Sequence, residues 1–298
     1  MSEMLEARIA EALTREVRPE VAAFARMLGE EAGADAVLFY GSNLRTGSLD
    51  GVLDFYVLLP GPQKERIWPR VSYREWEHGS ATLRAKIAAM SLTQFAAAAR
   101  GESRDTTIWT RFVQPSALVW SRDAETSDRI ERAVTHAART ASRFAAALGP
   151  ASGEAEDYWR ALFQATYRAE FRVETPGRED SILSVNREHF AGLLPLAWMA
   201  ESIAFEDVEG TLRTRLSPHE KKAILHDWRR SERLGKALNI LRLMKATTTF
   251  DGAARYGAWK LHRHTGIALE VTPFREKHPL LAMPGAAWEL WQARRRQR

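Results

Sequence analysis

The sequence predicts an α+β protein, with a small mixed sheet in its first half and mostly helices in its second half. Two apolar runs typical of strands, Val37–Tyr40 and Val52–Leu59, lie on either side of a glycine-containing loop. Helical patterns dominate after the Gly149-Pro150 stop. We therefore predict a sheet-containing domain at residues 1–150 and a helical domain at residues 151–298.

The other elements of the first half follow from periodicity. Apolar residues at four-residue spacing predict one amphipathic helix over residues 3–30. The polar stretch that ends at Gly79 is expected to form a mobile edge beside an active site. Residues 82–100 should begin as a strand and become a helix from Ser91, and residues 111–120 should form another strand interrupted by Pro115.

The second half shows a series of helical signals. Helices are predicted at residues 124–148, 158–167 and 186–202, with a short strand at 171–173. Ser217-Pro218-His219-Glu220 reads as a capping box that opens a long basic helix. A further helix over about residues 252–264 should end at Gly266.

The composition describes a globular protein that uses no thiol chemistry. Hydrophobic residues make up 45% of the 298 residues, and the absence of cysteine excludes disulfides and thiolate metal sites. The N-terminal segment has the pattern of an amphipathic helix rather than of a signal peptide. No apolar run reaches the roughly 18 residues of a membrane-spanning helix. We therefore expect a cytoplasmic protein.

Basic residues concentrate in the last quarter of the chain. Residues 218–298 carry 17 Lys and Arg against 7 Asp and Glu, whereas the first 217 residues carry 26 against 31. The end of this region sets Trp288 and Trp291 beside four arginines, a composition that suits a bilayer interface. The alternative is that these tryptophans pack on the globule. Nucleic acid is not expected, because large apolar groups match the cations in number and no nucleic-acid motif is present.

The opening strand–loop–strand unit carries the clearest chemistry. Gly41 has no Cβ, so the backbone there can bend and bring its N–H groups and the Ser42 hydroxyl against a phosphate. Asp54 is a lone carboxylate in an apolar strand, where a charge is unfavourable unless something pairs with it. A magnesium ion holding a nucleoside triphosphate would pair with it. The alternative is a hairpin with a capping aspartate.

The pattern of a Gly-Ser at the end of one strand and an Asp in the next resembles the signature motif of the nucleotidyltransferase superfamily. Within it, the chain resembles the mitochondrial-type phosphatidate cytidylyltransferases, or CDP-diacylglycerol synthases, through motifs that occur in the family's order over residues 37–195. These motifs are Tyr40-Gly41-Ser42, Leu53-Asp54-Phe55, Lys86 with Ser91, Arg111 with Pro115, Tyr167 with Glu170-Phe171-Arg172, and Asn186 with His189-Phe190.

The resemblance implies a nucleotidyltransferase fold and Mg²⁺-dependent transfer of CMP from CTP to phosphatidate, giving CDP-diacylglycerol and pyrophosphate. It implies an enzyme bound peripherally to the anionic inner face of a membrane. Asp54, Lys86 and Arg111 would be catalytic, and Asp54 would hold the metal. Gly41, Ser42, Lys86 and Asn186 would bind the nucleotide. Two alternatives stay open: a nucleotidyltransferase with another acceptor or nucleotide, and an inactive relative that binds nucleotide or lipid as a regulatory protein.

One departure from the superfamily pattern concerns the metal. The superfamily usually presents a second carboxylate two residues after the first, where this chain has Tyr56. Asp50 would lie about 13 Å away along an extended strand. Glu75 and Glu77 are the other candidates to complete the site.

Several motif residues also have plain structural readings. Glu170 and Arg172 suit an ion pair, Asn186 suits a helix N-cap, and His189 suits a packed core histidine. His262, His264 and His278 lack carboxylate or cysteine neighbours at ligand spacing, which excludes a zinc site there.

Overall fold

The computed structural model describes residues 2–79, 81–170, 178–249, 252, 254–259 and 271–277. In the first half, the elements are α1 (Ser2–Leu13), α2 (Pro19–Ala32), β1 (Ala36–Tyr40), α3 (Ser42–Thr46), β2 (Leu53–Leu59), β3 (Arg70–His78), β4 (Ala81–Ser91), α4 (Leu92–Ala99), α5 (Thr107–Phe112), β5 (Ser116–Ser121) and α6 (Ala124–Leu148).

The second half is mostly helical, with one small hairpin. Its elements are α7 (Ala155–Ala169), α8 (Arg178–Val185), α9 (Arg187–Phe190), α10 (Leu193–Ala200), β6 (Phe205–Val208), β7 (Thr211–Thr214), α11 (Pro218–Thr249), α12 (residues 254–259) and α13 (Pro273–Lys277).

A five-stranded mixed sheet in the order β3-β4-β2-β1-β5 forms the centre of the first half. Strand β1 pairs antiparallel with β2 and β5, β3 pairs antiparallel with β4, and β2 and β4 run parallel. The predicted α+β class with a mixed sheet is confirmed.

The two faces of the sheet are covered by different helices, as the alternation of side chains along a strand requires. Val37, Phe39 and Phe55 point to the face that packs against Phe24 of α2. Residues of opposite parity, such as Leu38 and Tyr56, belong to a second core cluster that contains residues of α1, α4, α5 and α6. The second cluster continues through α7 and α10 to Trp228 of α11, so helices of the second half share the core of the first.

The predicted single helix over residues 3–30 is wrong, because Pro19 divides it. Proline cannot donate the helical N–H bond, and its ring disfavours the α conformation of the preceding residue. The chain leaves α1 after Leu13 and begins α2 at Pro19, with Arg18 extended before it. The break allows α1 and α2 to pack on opposite faces of the sheet.

Three other predicted segments differ from the structure. The polar stretch before Gly79 forms the edge strand β3, which pairs with β4 along its whole length. The predicted strand over residues 111–120 begins only at Ser116, because Arg111 belongs to helix α5. The predicted helix over residues 186–202 is two helices, separated at Gly192, which has a φ of +71°. The β6–β7 hairpin was not predicted from the sequence.

The strand-to-helix change at Ser91 is confirmed, since Ser91 ends β4 and its Oγ accepts a hydrogen bond from the Gln94 amide. The capping box is also confirmed, with Ser217 and Glu220 each bonding to the other's backbone amide. The predictions for residues 171–173, for Gly266 and for the tryptophan- and arginine-rich end fall outside the described residues. Among the described helices, none is long and apolar enough to cross a membrane.

Candidate functional site

A cavity of about 240 Å³ opens where β1 ends and α3 begins. It collects side chains from β1, α3, β2, β4 and α5 of the first half and from α7 and α8 of the second. The described residues that line it are Tyr40, Gly41, Ser42, Arg45, Asp54, Lys86, Thr110, Arg111, Gln114, Pro115, Tyr167 and Ile182. The structure thus brings five of the six predicted site residues together.

Asp54 lies in the middle of a row of side chains across the sheet. Tyr40 is its partner on β1, and Lys86 is its partner on the parallel strand β4. Burial raises the pKa of Asp54, and the nearby charges of Lys86 and Arg111 oppose this shift in part. No described group donates a hydrogen bond to its carboxylate. Asp54 is therefore a partly buried acid whose charged form depends on cations around it.

The turn after β1 approaches Asp54 so closely that only glycine fits. Gly41 has a φ of +90° and a ψ of −162°, a region that residues with a Cβ essentially never occupy. A Cβ at this position would lie 2.9 Å from Oδ2 of Asp54. The next residue, Ser42, is exposed at the start of α3, and its hydroxyl donates to Oδ1 of Asn43 at 3.3 Å.

The buried amide of Asn43 holds the loop between α3 and β2. Its Nδ2 donates to the carbonyl oxygens of Ser48 at 2.9 Å and Asp50 at 2.8 Å. These two hydrogen bonds close the loop locally, and they therefore stabilise the turn that carries Ser42.

Arg111 enters the cavity from helix α5, between two tyrosine rings. Its Nη1 donates to the hydroxyl of Tyr56 at 3.2 Å, and its guanidinium carbon lies 5.4 Å from the Tyr40 ring centroid and 5.7 Å from that of Tyr56. Tyr56 stands two residues after Asp54, and it is 1% exposed. Its ring and hydroxyl position the Arg111 cation.

Helix α5 is anchored at its start by a buried carboxylate. Asp105 accepts hydrogen bonds from the Thr107 amide at 3.0 Å and from its hydroxyl at 2.8 Å. Arg242 of α11 forms an ion pair with the same carboxylate, and it also donates to the carbonyl oxygen of Trp68 at 2.8 Å. Helix α11 of the second half thus helps to position the helix that carries Arg111.

Three polar residues of the cavity were not predicted from the sequence, Arg45, Thr110 and Gln114, and Tyr167 was named only as part of a motif. Thr110 is the most informative, because its hydroxyl is buried and has no hydrogen-bond partner among the described residues. A buried hydroxyl without a partner at a cavity wall can bond to a ligand. Thr110 lies in α5 and Gln114 two residues after its end. Their four-residue spacing was not recognised because residues 111–120 were interpreted as a strand.

Asn186 and His189 are not among the described residues that line the cavity. The Asn186 amide donates to the carbonyl oxygen of Ile182 at 2.7 Å, and although it precedes α9 it forms no capping bond with its side chain. His189 bonds through Nε2 to the Val113 carbonyl oxygen at 2.8 Å, and burial lowers the pKa of its imidazole to about 4. His189 is thus a neutral packed histidine, as its structural reading predicted. Arg172 falls outside the described residues.

The residues at the cavity provide one carboxylate for a metal. The carboxylate of Glu75 accepts a hydrogen bond from the Tyr73 hydroxyl at 2.8 Å and forms an ion pair with Arg84 at 3.3 Å. Glu77 accepts from the Thr82 hydroxyl at 2.9 Å, near the far end of β3. In the described part of the chain, no three His, Cys, Asp or Glu side chains are grouped as metal ligands. Asp54 fits a Mg²⁺ that is held mainly by substrate phosphates, since this ion often takes only one or two protein carboxylates.

No protein-family model matches this chain, and no curated protein matches it at a significant level. The chemistry of this chain is therefore inferred from the geometry of the cavity.

Proposed function

We propose that this cavity binds a nucleoside triphosphate and transfers its nucleotidyl group to a phosphate acceptor. The observation that carries the proposal is the position of Asp54, a single carboxylate facing the Gly41-Ser42 turn in a cavity that Lys86, Arg111 and Arg45 also line. Three cations and one acid suit a polyphosphate that arrives with a divalent metal. Such a site works through positioning and charge neutralisation, as phosphoryl-group chemistry requires.

In the proposed reaction, an oxygen of the acceptor phosphate attacks the α-phosphorus of the nucleotide. A new P–O bond forms while the bond from the α-phosphorus to the α–β bridging oxygen breaks, and its electron pair leaves with pyrophosphate. Lys86 and Arg111 balance charge on the phosphates, Arg111 from a fixed orientation between its two tyrosines. The Ser42 and Thr110 hydroxyls donate to phosphate oxygens. When bound at Asp54, Mg²⁺ would neutralise charge on the triphosphate.

The lack of a base in the cavity favours a phosphate acceptor over a hydroxyl acceptor. The described lining residues include no histidine, and their one carboxylate is assigned to the metal. A hydroxyl nucleophile needs a group that takes its proton. A phosphate monoester has a second pKa of about 6 and is largely ionised at neutral pH, so it needs none. A lipid phosphate such as phosphatidate meets this requirement.

The full proposal is that the first half of the chain is a nucleotidyltransferase domain that transfers CMP from CTP to phosphatidate. It rests on the cavity and on the ordered motifs from Tyr40 to Phe190. Because phosphatidate is a membrane lipid, the enzyme would work while bound peripherally to a membrane.

The decisive experiment supplies pure protein with labelled CTP, Mg²⁺ and phosphatidate in mixed micelles, with ATP, GTP and UTP in parallel reactions. We expect a CDP-lipid from CTP alone and no product from the Asp54→Asn variant. Product from another nucleotide would correct the base specificity, and nucleotide binding without a lipid product would point to another acceptor. The absence of both product and nucleotide binding would refute the proposal.

A second candidate is a relative that binds a nucleotide without turnover. It is favoured because a buried tyrosine, Tyr56, stands where a second carboxylate would bind the metal. A cavity with one carboxylate can hold a triphosphate but has fewer ligands for the metal of catalysis. This candidate predicts saturable CTP binding that Ser42→Ala weakens, with no pyrophosphate released under any acceptor.

A further inference from the structure

We propose that a groove between α4 and α6 binds the headgroup of an anionic phospholipid and thereby places this surface against a membrane. The groove encloses about 290 Å³. It begins near Leu92 and Thr93, immediately after β4, whereas the candidate active site uses Lys86. Five residues of strand from Lys86 to Ser91 span about 17 Å, so the groove is separate from the Asp54 cavity.

Arginines from two helices form the rim of the groove. Arg129 and Arg132 project from α6, and Arg100 lies at the C-cap of α4. Arg100 forms an ion pair with Glu102 at 2.6 Å. Arg129 and Arg132 have no hydrogen-bond or ion-pair partner among the described residues. Two guanidinium groups at one cavity therefore keep their charge available for a phosphate, which they can bind in bidentate fashion.

The same side of α6 continues as a basic stripe. Its members are spaced alternately by three and four residues, which places them along one side of the helix for about 21 Å. They are Arg129, Arg132, His136, Arg139 and Arg143. Arg139 is paired with Glu201, and Arg143 lies over the Phe144 ring. This basic face occurs within the first 217 residues, where acidic residues outnumber basic ones, so the stripe is a local feature.

The floor of the groove is apolar. It is formed by Leu92, Ala96 and Ala133, of which Leu92 and Ala133 are buried in the core. Short side chains on facing helices leave the space open. An apolar floor under an arginine rim fits a phosphate joined to a glycerol and acyl ester better than a bare hydrated anion. It also lacks the exposed aromatic platforms on which single-stranded nucleic acid stacks.

This inference does not rest on the proposed activity, and its test avoids the proposed substrate. Full-length protein is sedimented with phosphatidylcholine vesicles that contain or lack phosphatidylglycerol, whose phosphate diester is not the proposed acceptor. Each basic residue near an anionic surface contributes about fivefold to membrane partitioning. We therefore expect Arg129→Gln/Arg132→Gln to lower partitioning onto anionic vesicles about 25-fold.

A matched control changes the same net charge elsewhere. Arg26 on α2 and Arg213 on β7 are exposed, and Arg26→Gln/Arg213→Gln should change partitioning much less. Arg129→Lys/Arg132→Lys should lose part of the binding, because lysine keeps the positive charge but cannot bind a phosphate in bidentate fashion. Unchanged circular dichroism of each variant shows that the fold is intact.

Three results would overturn the inference. Equal losses in the groove variant and the control would mean that only net charge matters, and undiminished binding by the groove variant would place the membrane contact elsewhere. Binding of soluble glycerol phosphate or of a single-stranded oligonucleotide that Arg129→Gln/Arg132→Gln abolishes, without an effect on vesicles, would assign the groove to that ligand instead.

Discussion

Replacing Gly41 by alanine tests the link between the backbone turn and the candidate site. At Gly41 the φ of +90° and ψ of −162° lie in a region that is essentially restricted to glycine. The added methyl group would also stand 2.9 Å from Oδ2 of Asp54 and within 3.6 Å of its Cβ. Because a Cβ essentially never stands within 3.0 Å of a non-bonded oxygen, either the turn or the Asp54 carboxylate must move.

The expected magnitude comes from comparison with Gly47, which ends α3. Gly47 has a φ of +64° and a ψ of 6°, and a Cβ there would meet nothing within 4 Å. Gly47→Ala should cost about 1 kcal/mol of unfolding free energy for the left-handed backbone alone. Gly41→Ala should cost about 1–3 kcal/mol for its backbone region, with the displacement of Asp54 in addition.

Urea denaturation measures the stability of both variants, and CTP binding with Mg²⁺ measures the site. We expect Gly47→Ala to bind CTP like the unaltered protein. Gly41→Ala should lose binding beyond what its lower stability explains, because the turn no longer presents its amides beside Asp54. If Gly41→Ala were as stable as Gly47→Ala and bound CTP normally, the reasoning about this turn would be refuted.

Three further predictions concern charge and hydrogen bonding. Burial raises the pKa of Asp54, so the folded protein holds this proton more tightly than the unfolded chain, and ionisation lowers stability as pH rises. Asp54→Asn should therefore keep or increase the unfolding free energy at neutral pH while turnover is lost. Ser42→Ala should weaken triphosphate binding about fivefold, the effect of roughly one hydrogen bond, measured by calorimetry. Arg242→Met should lower the unfolding free energy by about 3 kcal/mol in urea, because it leaves Asp105 buried without its counter-charge.

Each of these predictions has a clear contrary result. Retained turnover in Asp54→Asn would remove this carboxylate from the mechanism, and a marked loss of its stability would contradict the sign of the pKa shift. Unchanged affinity in Ser42→Ala would make Gly41-Ser42 a simple turn. A stability loss in Arg242→Met no larger than in Arg26→Met, an exposed control, would mean that the Asp105 ion pair contributes little.

The opening unit and the helix signals were predictable because they are encoded within a few neighbouring residues. Continuous apolar runs placed β1 and β2, glycine marked the turn between them, and an isolated aspartate in an apolar strand marked the site. Ser217 was recognisable as a helix cap because a hydroxyl at a helix start accepts a hydrogen bond from a free backbone amide in any context.

The sequence by itself determined which residue types stand at the candidate site: Gly41, Ser42, Asp54, Lys86 and Arg111. Their assembly is tertiary. Lys86 lies beside Asp54 only because β2 and β4 pair in parallel with one register, which depends on the packing of both sheet faces. Arg111 reaches the cavity from a helix whose start is held by contacts with α11.

Only the tertiary structure decided the features that distant residues create together. The aromatic pocket around Tyr56, the buried Thr110 hydroxyl and the groove between α4 and α6 each combine elements far apart in the chain. The tertiary structure also removed one predicted site residue. Asn186 belongs to a motif, but its side chain donates to the nearby Ile182 carbonyl oxygen and does not line the cavity. Local patterns specify helices, strands and turns, whereas burial and the partners of each polar group follow from packing that no short window of sequence contains.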